Sequence, residues 1–97
     1  MSDLYDLVET VDDEPSFLVF LAALAADRAD EVAKETVTPS SPWGPGANGW
    51  ENGTIETFLE RAHAWGSVSA ADLEFYSVPA NPWKRFADIL FAGKFYE

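Results

Sequence analysis

Three prolines and four glycines crowd residues 36–53: Pro39, Pro42, Pro45, Gly44, Gly46, Gly49 and Gly53. Proline fixes φ and offers no N–H donor, and glycine loses the most backbone entropy on ordering, so neither helix nor strand propagates through such a stretch. The chain is thereby cut into two halves, each with an apolar repeat at helical spacing. A connection of about 18 residues is long for a compact domain. Loops of that length usually carry function or lack fixed structure.

Four helices are expected around this loop. Over residues 3–11, Leu4, Leu7, Val8 and Val11 fall on one face and Asp3, Asp6 and Glu9 opposite, with Ser2 or Asp3 placed to cap. Asp13 or Ser16 can cap a second helix over 16–34, and Pro15 is tolerated in its first turn. Its first half (Phe17, Leu18, Val19, Phe20, Leu21, Leu24) is apolar almost all round, the pattern of a helix with little exposed face. A third helix over 54–65 carries Ile55, Phe58, Leu59, Ala62 and Trp65 on one side. Asn52, Gly53 or Thr54 can cap it, and Gly66 and Ser67 stop it. Asn81-Pro82 opens a fourth helix over 82–92 or slightly beyond. Trp83, Phe86, Ala87 and Leu90 line its apolar face, while Lys84, Arg85 and Asp88 face water. Either Gly93 ends this helix or Lys94 snorkels out of the apolar stripe.

The second and fourth helices would form the centre. Residues 68–79 are ambiguous. Ser69-Ala70-Ala71-Asp72 reads as a capping-box variant opening one helical turn, whereas 73–76 could be a strand of a small hairpin. The expected fold class is mainly α, a single domain over 1–97, with α+β as the alternative.

With 97 residues, a folded surface of about 5,500 Å² replaces about 15,500 Å² unfolded. Seven Phe, four Trp and three Tyr supply bulky core material, so no metal or disulfide staple is needed. Without cysteine, disulfides, thiolate nucleophiles and Cys-type metal sites are excluded, and a reducing cytoplasmic setting fits. No basic n-region marks a signal peptide, and the longest apolar run, 17–26, is too short to span a bilayer. The net charge is −11, of which residues 1–48 carry −8 from ten acids and two bases. Nucleic acid and anionic membrane would be repelled by that field, and a basic protein would be steered toward it.

Catalytic candidates are few. Glu60-Arg61-Ala62-His63 has the Glu-x-x-His spacing of di-iron bundles, but those sites need two copies and further carboxylates. The bland alternative is a boundary histidine beside Glu56 and Glu60. Asp12-Asp13-Glu14 lacks the alternation, glycine and distal glutamate of a calcium loop and reads as a solvated charge run. With one histidine and no G-x-S-x-G, no serine triad can be argued, and the loop glycines carry no phosphate-binding lysine. No cofactor motif is found. Trp43 and Trp50 on the Pro/Gly-rich loop have the character of interface anchors, or else fold back as a lid over the helices.

The block Trp50-Glu51-Asn52-Gly53-Thr54-Ile55-Glu56-Thr57-Phe58-Leu59-Glu60 carries a resemblance. So do Ala64-Trp65, Trp83, Phe86-Ala87-Asp88-Ile89-Leu90, Ala92 and Tyr96-Glu97, with Ser16-Phe17 and Phe20 in the second helix. Together they resemble domain-of-unknown-function family 7660, small bacterial proteins. The resemblance implies a cytosolic, free-standing domain, and it transfers no activity, cofactor or site residue. Two departures are a longer Pro/Gly-rich stretch before Trp50 and Gly93 in place of an Ala-rich final turn. Read physically, Asn52 and Thr54 cap, Ile55, Phe58 and Leu59 pack, and Glu51, Glu56 and Glu60 stay wet.

The functional expectation is a small acidic protein-binding module with Asp12, Asp13, Glu14, Trp43 and Trp50 as contacts. An immunity or inhibitor protein for a basic enzyme is one concrete form of it. The alternatives are a metal- or ligand-binding domain or enzyme using Glu60 and His63, and a homo-oligomeric structural subunit.

Overall fold

A computed structural model describes residues 3–71 and 73–97. Two expected capping residues, Ser2 and Asp72, lie outside the described residues. Four helices follow one another: α1 (Leu4–Glu9), α2 (Glu14–Val37), α3 (Ile55–Ser69) and α4 (Pro82–Phe95). No regular strand occurs among the described residues. Among the described residues of 70–81 there are turns and one isolated bridge between Leu73 and Tyr76, and neither the helical turn nor the hairpin expected there.

The helix starts follow the local chemistry. Asp3 caps α1 by accepting from the Tyr5 N–H. Asp13 and Ser16 form a capping box on α2, and Thr54 and Thr57 form one on α3. Asn81 accepts from the N–H groups of Trp83 and Lys84 ahead of Pro82.

The helix ends depend on tertiary partners. Helix α3 runs through Gly66 and Ser67, which were expected to stop it, because Arg85 of α4 reaches its last turn. The guanidinium donates to the Gly66 carbonyl at 2.8 Å and to Ser69 Oγ at 2.8 Å, so the negative helix end gains a cationic partner. Helix α4 likewise continues past Gly93 to Phe95. Its terminal carbonyls at Gly93 and Tyr96 accept from Asn52 Nδ2 at 3.0 and 2.8 Å. Asn52 therefore caps the end of α4 and leaves the start of α3 to Thr54.

Helix α4 is the central element and packs against each of the other three, while α2 and α3 do not pack on each other. The expected central pair is thus corrected to one central helix. Gly93 lies against Phe58 and Ala62, and Gly66 against Ile89, so α3 runs antiparallel to α4. Phe17 stacks on Trp83 and Phe86, and Asp27 pairs with Lys94, so α2 runs parallel to α4. A Cβ at Gly93 would sit 3.0 Å from the Phe58 carbonyl oxygen and 3.1 Å from Ala62 Cβ, so glycine permits the close α3–α4 approach.

The core gathers Leu4, Val8 and Val11 with Phe20, Leu24, Trp50 and Ala87, and Phe20 is its largest fully buried side chain. Several residues expected to be buried are not. Leu18, Val19 and Leu21 of α2 are exposed, as are Ile55 and Leu59 of α3 and Phe86 of α4. Helix α2 has only α1, α4 and the loop as neighbours, so an all-round apolar surface outruns what they can cover. No helix among the described residues is long and apolar enough to cross a membrane.

Candidate functional site

Two of the unexpected exposures, Leu21 and Ile55, share one site. Helices α2 and α3 stand on either side of α4 with a gap between them, and that gap is an apolar groove of about 330 Å³. Leu21 and Ala25 form one wall, Ile55 and Phe58 the other, and Leu90 of α4 lines it between them. Leu18, Leu59 and Phe86 continue the same helical stripes by one turn. Ile55 is 78% exposed and Leu59 57%, values that no helix propensity explains.

One end of the groove is closed by a latch between α2 and the Pro/Gly-rich loop. Glu31 is only 1% exposed, and its carboxylate accepts from the backbone N–H of Asn48 at 2.9 Å and of Trp50 at 3.1 Å. Arg28 donates to its second oxygen at 2.6 Å and to the Gly53 carbonyl at 2.9 Å. A Cβ at Gly46 would fall 2.3 Å from Glu31 Oε1, so the loop can lie on the carboxylate only with glycine there. Trp50 is then pressed inward at 8% exposure, donating from Nε1 to Asp27 Oδ2 at 2.8 Å. Lys94 donates to the same oxygen at 2.8 Å and lies over the Trp50 ring. Lys94 therefore needs no route to water, because Asp27 meets it inside the apolar stripe.

The side chains singled out from the sequence do not converge. Asp12, Asp13 and Glu14 are exposed at the start of α2. The Asp13 carboxylate is already engaged as the cap, and the hydrogen bonds from the Ser16 hydroxyl and N–H hold it below the usual carboxylate range. Trp43 is 93% exposed beyond the other end of α2, a 24-residue helix about 36 Å long. Trp50 is 8% exposed and lines the inner side of the groove. Glu60 and His63 are exposed on α3, and among the described residues no group of three His, Asp or Glu side chains is placed to hold a metal ion.

A second cluster was missed because helical angles alone put it in water. Asp88 is buried and accepts from the Tyr76 hydroxyl at 2.7 Å and from Lys84. Burial first, and then the bond to Asp88, push the Tyr76 phenol up to about 12. Arg85 lies over the rings of Trp65 and Tyr76. A cleft of about 470 Å³ opens beside this cluster, lined in part by Tyr5, Trp65, Phe75 and Phe91.

A model of a family of unknown function, DUF7660, matches residues 13–97. The chain belongs to this family. No curated protein and no solved structure matches it. In this DUF7660 chain, α1 lies outside the matched region, yet its Leu4 and Val8 enter the core. The Trp50–Thr54 block that carried the resemblance is accounted for by structure: Trp50 fills the core, Asn52 closes α4 and Thr54 opens α3. Leu21 and Ile55 of the groove walls, by contrast, are exposed and stand outside the core cluster.

Proposed function

We propose that this DUF7660 protein is a small acidic protein-binding module that docks a basic partner. The apolar groove between α2 and α3 carries the reading, because a chain of net charge −11 has no folding reason to leave Leu21, Ile55 and Leu59 in water. Charge supports the sign of the partner, since opposite fields raise the association rate and reject acidic competitors. Inhibition of a basic enzyme that acts on nucleic acid is one form of this role. Surface carboxylates would there stand where the enzyme's phosphates bind.

The test is affinity capture of host proteins on the tagged chain at low and high salt, followed by mass spectrometry. A basic protein retained at low salt, reduced at high salt and competed by untagged chain supports the role. Retention of nothing beyond the chain itself refutes it.

A further inference from the structure

We infer that the α2–α3 groove is the seat of one short amphipathic helix of the partner, apolar along one face and rich in lysine or arginine on its flanks. The inference rests on the protein-binding role proposed above and adds the element and chemistry that would fill the site. Shape is the first argument. From Leu21 to Arg28 the α2 wall is about 10 Å long, roughly two helical turns, with Leu18 one turn further on, and Ile55 and Phe58 form the α3 wall with Leu59 beside them in the helix. The two walls flank α4 without touching, so a helix laid between them would rest on Leu90 and Phe86 and supply the neighbour that α2 and α3 lack. Apolar anchors at i, i+3 or i+4, and i+7 match such a channel.

Charge selects the flanks of that helix. Glu14 lies one turn before Leu18 on α2, and Glu56 and Glu60 stand exposed next to Ile55 and Leu59 on α3. Arg28 is the one cation lining the groove among the described residues, and Glu31 already pairs it. The two flanking helices therefore carry exposed carboxylates around an apolar floor. A second copy of this chain is the poorer occupant, because it would bring another −11 and set carboxylates against carboxylates.

The probe is a fluorescein-labelled synthetic peptide of about four helical turns, with leucine at i, i+3, i+4, i+7 and lysine elsewhere. Two controls accompany it: a scrambled peptide of equal composition, and the same pattern with glutamate in place of lysine. Fluorescence anisotropy is measured on the wild-type chain and on Leu21→Glu, Leu59→Glu and Trp43→Ala. The inference expects the patterned lysine peptide to bind at least about tenfold tighter than either control. It also expects a loss of about tenfold or more in each groove variant and no change in Trp43→Ala. Equal binding of the scrambled peptide, or full binding by both groove variants, overturns it. Dimerisation of the unliganded wild type that Leu59→Glu abolishes, seen by sedimentation, also overturns it in favour of a second copy. If the captured basic protein is retained equally by the groove variants, the binding role stands and the groove assignment falls.

Discussion

Replacing Glu31 by alanine removes the carboxylate that fastens the Pro/Gly-rich loop to α2. Two backbone donors, Asn48 N–H and Trp50 N–H, lose their acceptor at once. A buried donor without a partner costs about 1–3 kcal/mol. The Trp50 N–H is buried and the Asn48 N–H partly so, whereas Arg28, its side chain 36% exposed, can rehydrate and adds little. The total is about 3–5 kcal/mol, out of an overall stability on the order of 5–15 kcal/mol. For a chain of this size the melting temperature should fall by about 12 °C or more. Glu31→Gln keeps one acceptor for the loop and should cost about 1–2 kcal/mol. Gly46→Ala attacks the same contact from the other side, since its Cβ would collide with Glu31 Oε1. The Glu31→Ala/Gly46→Ala double variant should therefore lose well under the sum of the two single losses. Thermal and urea denaturation followed by circular dichroism measure all four proteins. A melting temperature lowered by less than about 5 °C in Glu31→Ala, or strictly additive losses, would refute the latch.

The two loop tryptophans should separate cleanly in denaturation experiments. Trp50→Ala should destabilise by about 3–5 kcal/mol, and Trp43→Ala by less than about 0.5 kcal/mol. Leu21→Glu and Leu59→Glu should each fold with stability within about 0.5 kcal/mol of wild type, measured in urea, because both residues are exposed. Tyr76 ionises at about 12 in the folded chain, above the ordinary phenol value near 10, so its contribution is present below about pH 10 and is lost as pH rises toward 12. Denaturation midpoints should fall across that window, and less steeply in Tyr76→Phe. Arg85→Ala should shorten α3 from its C-terminal end, read as faster amide exchange at residues 66–70.

Local rules made much of the fold legible. Each α-helix was visible as a periodic apolar stripe, Asn81 could be named as a cap, and Asp13 and Thr54 stood among two or three candidates each, because capping bonds close within four residues. Helix ends were less accessible. Gly66 reads as a stop until Arg85 arrives from α4, and Gly93 as a terminus until Phe58 and Ala62 close over it. The same limit applied to the site. Helical angle sent Asp88 to water, whereas Tyr76 and Lys84 meet it in a half-buried cluster. Chemistry alone suggested the acidic run and Trp43 as contacts, but not their separation along α2.

Composition and periodicity by themselves determined an acidic, mainly helical chain able to bury a core without cysteine or metal, and the placement of most helix starts. Tertiary structure alone decided which apolar side chains that core would use. An apolar stripe states that a face is to be covered, but only the arrangement of neighbours supplies the cover. Helix α4 has three neighbours, while α2 and α3 share α4 without meeting. That missing contact leaves Leu21 and Ile55 lining a groove in place of meeting one another.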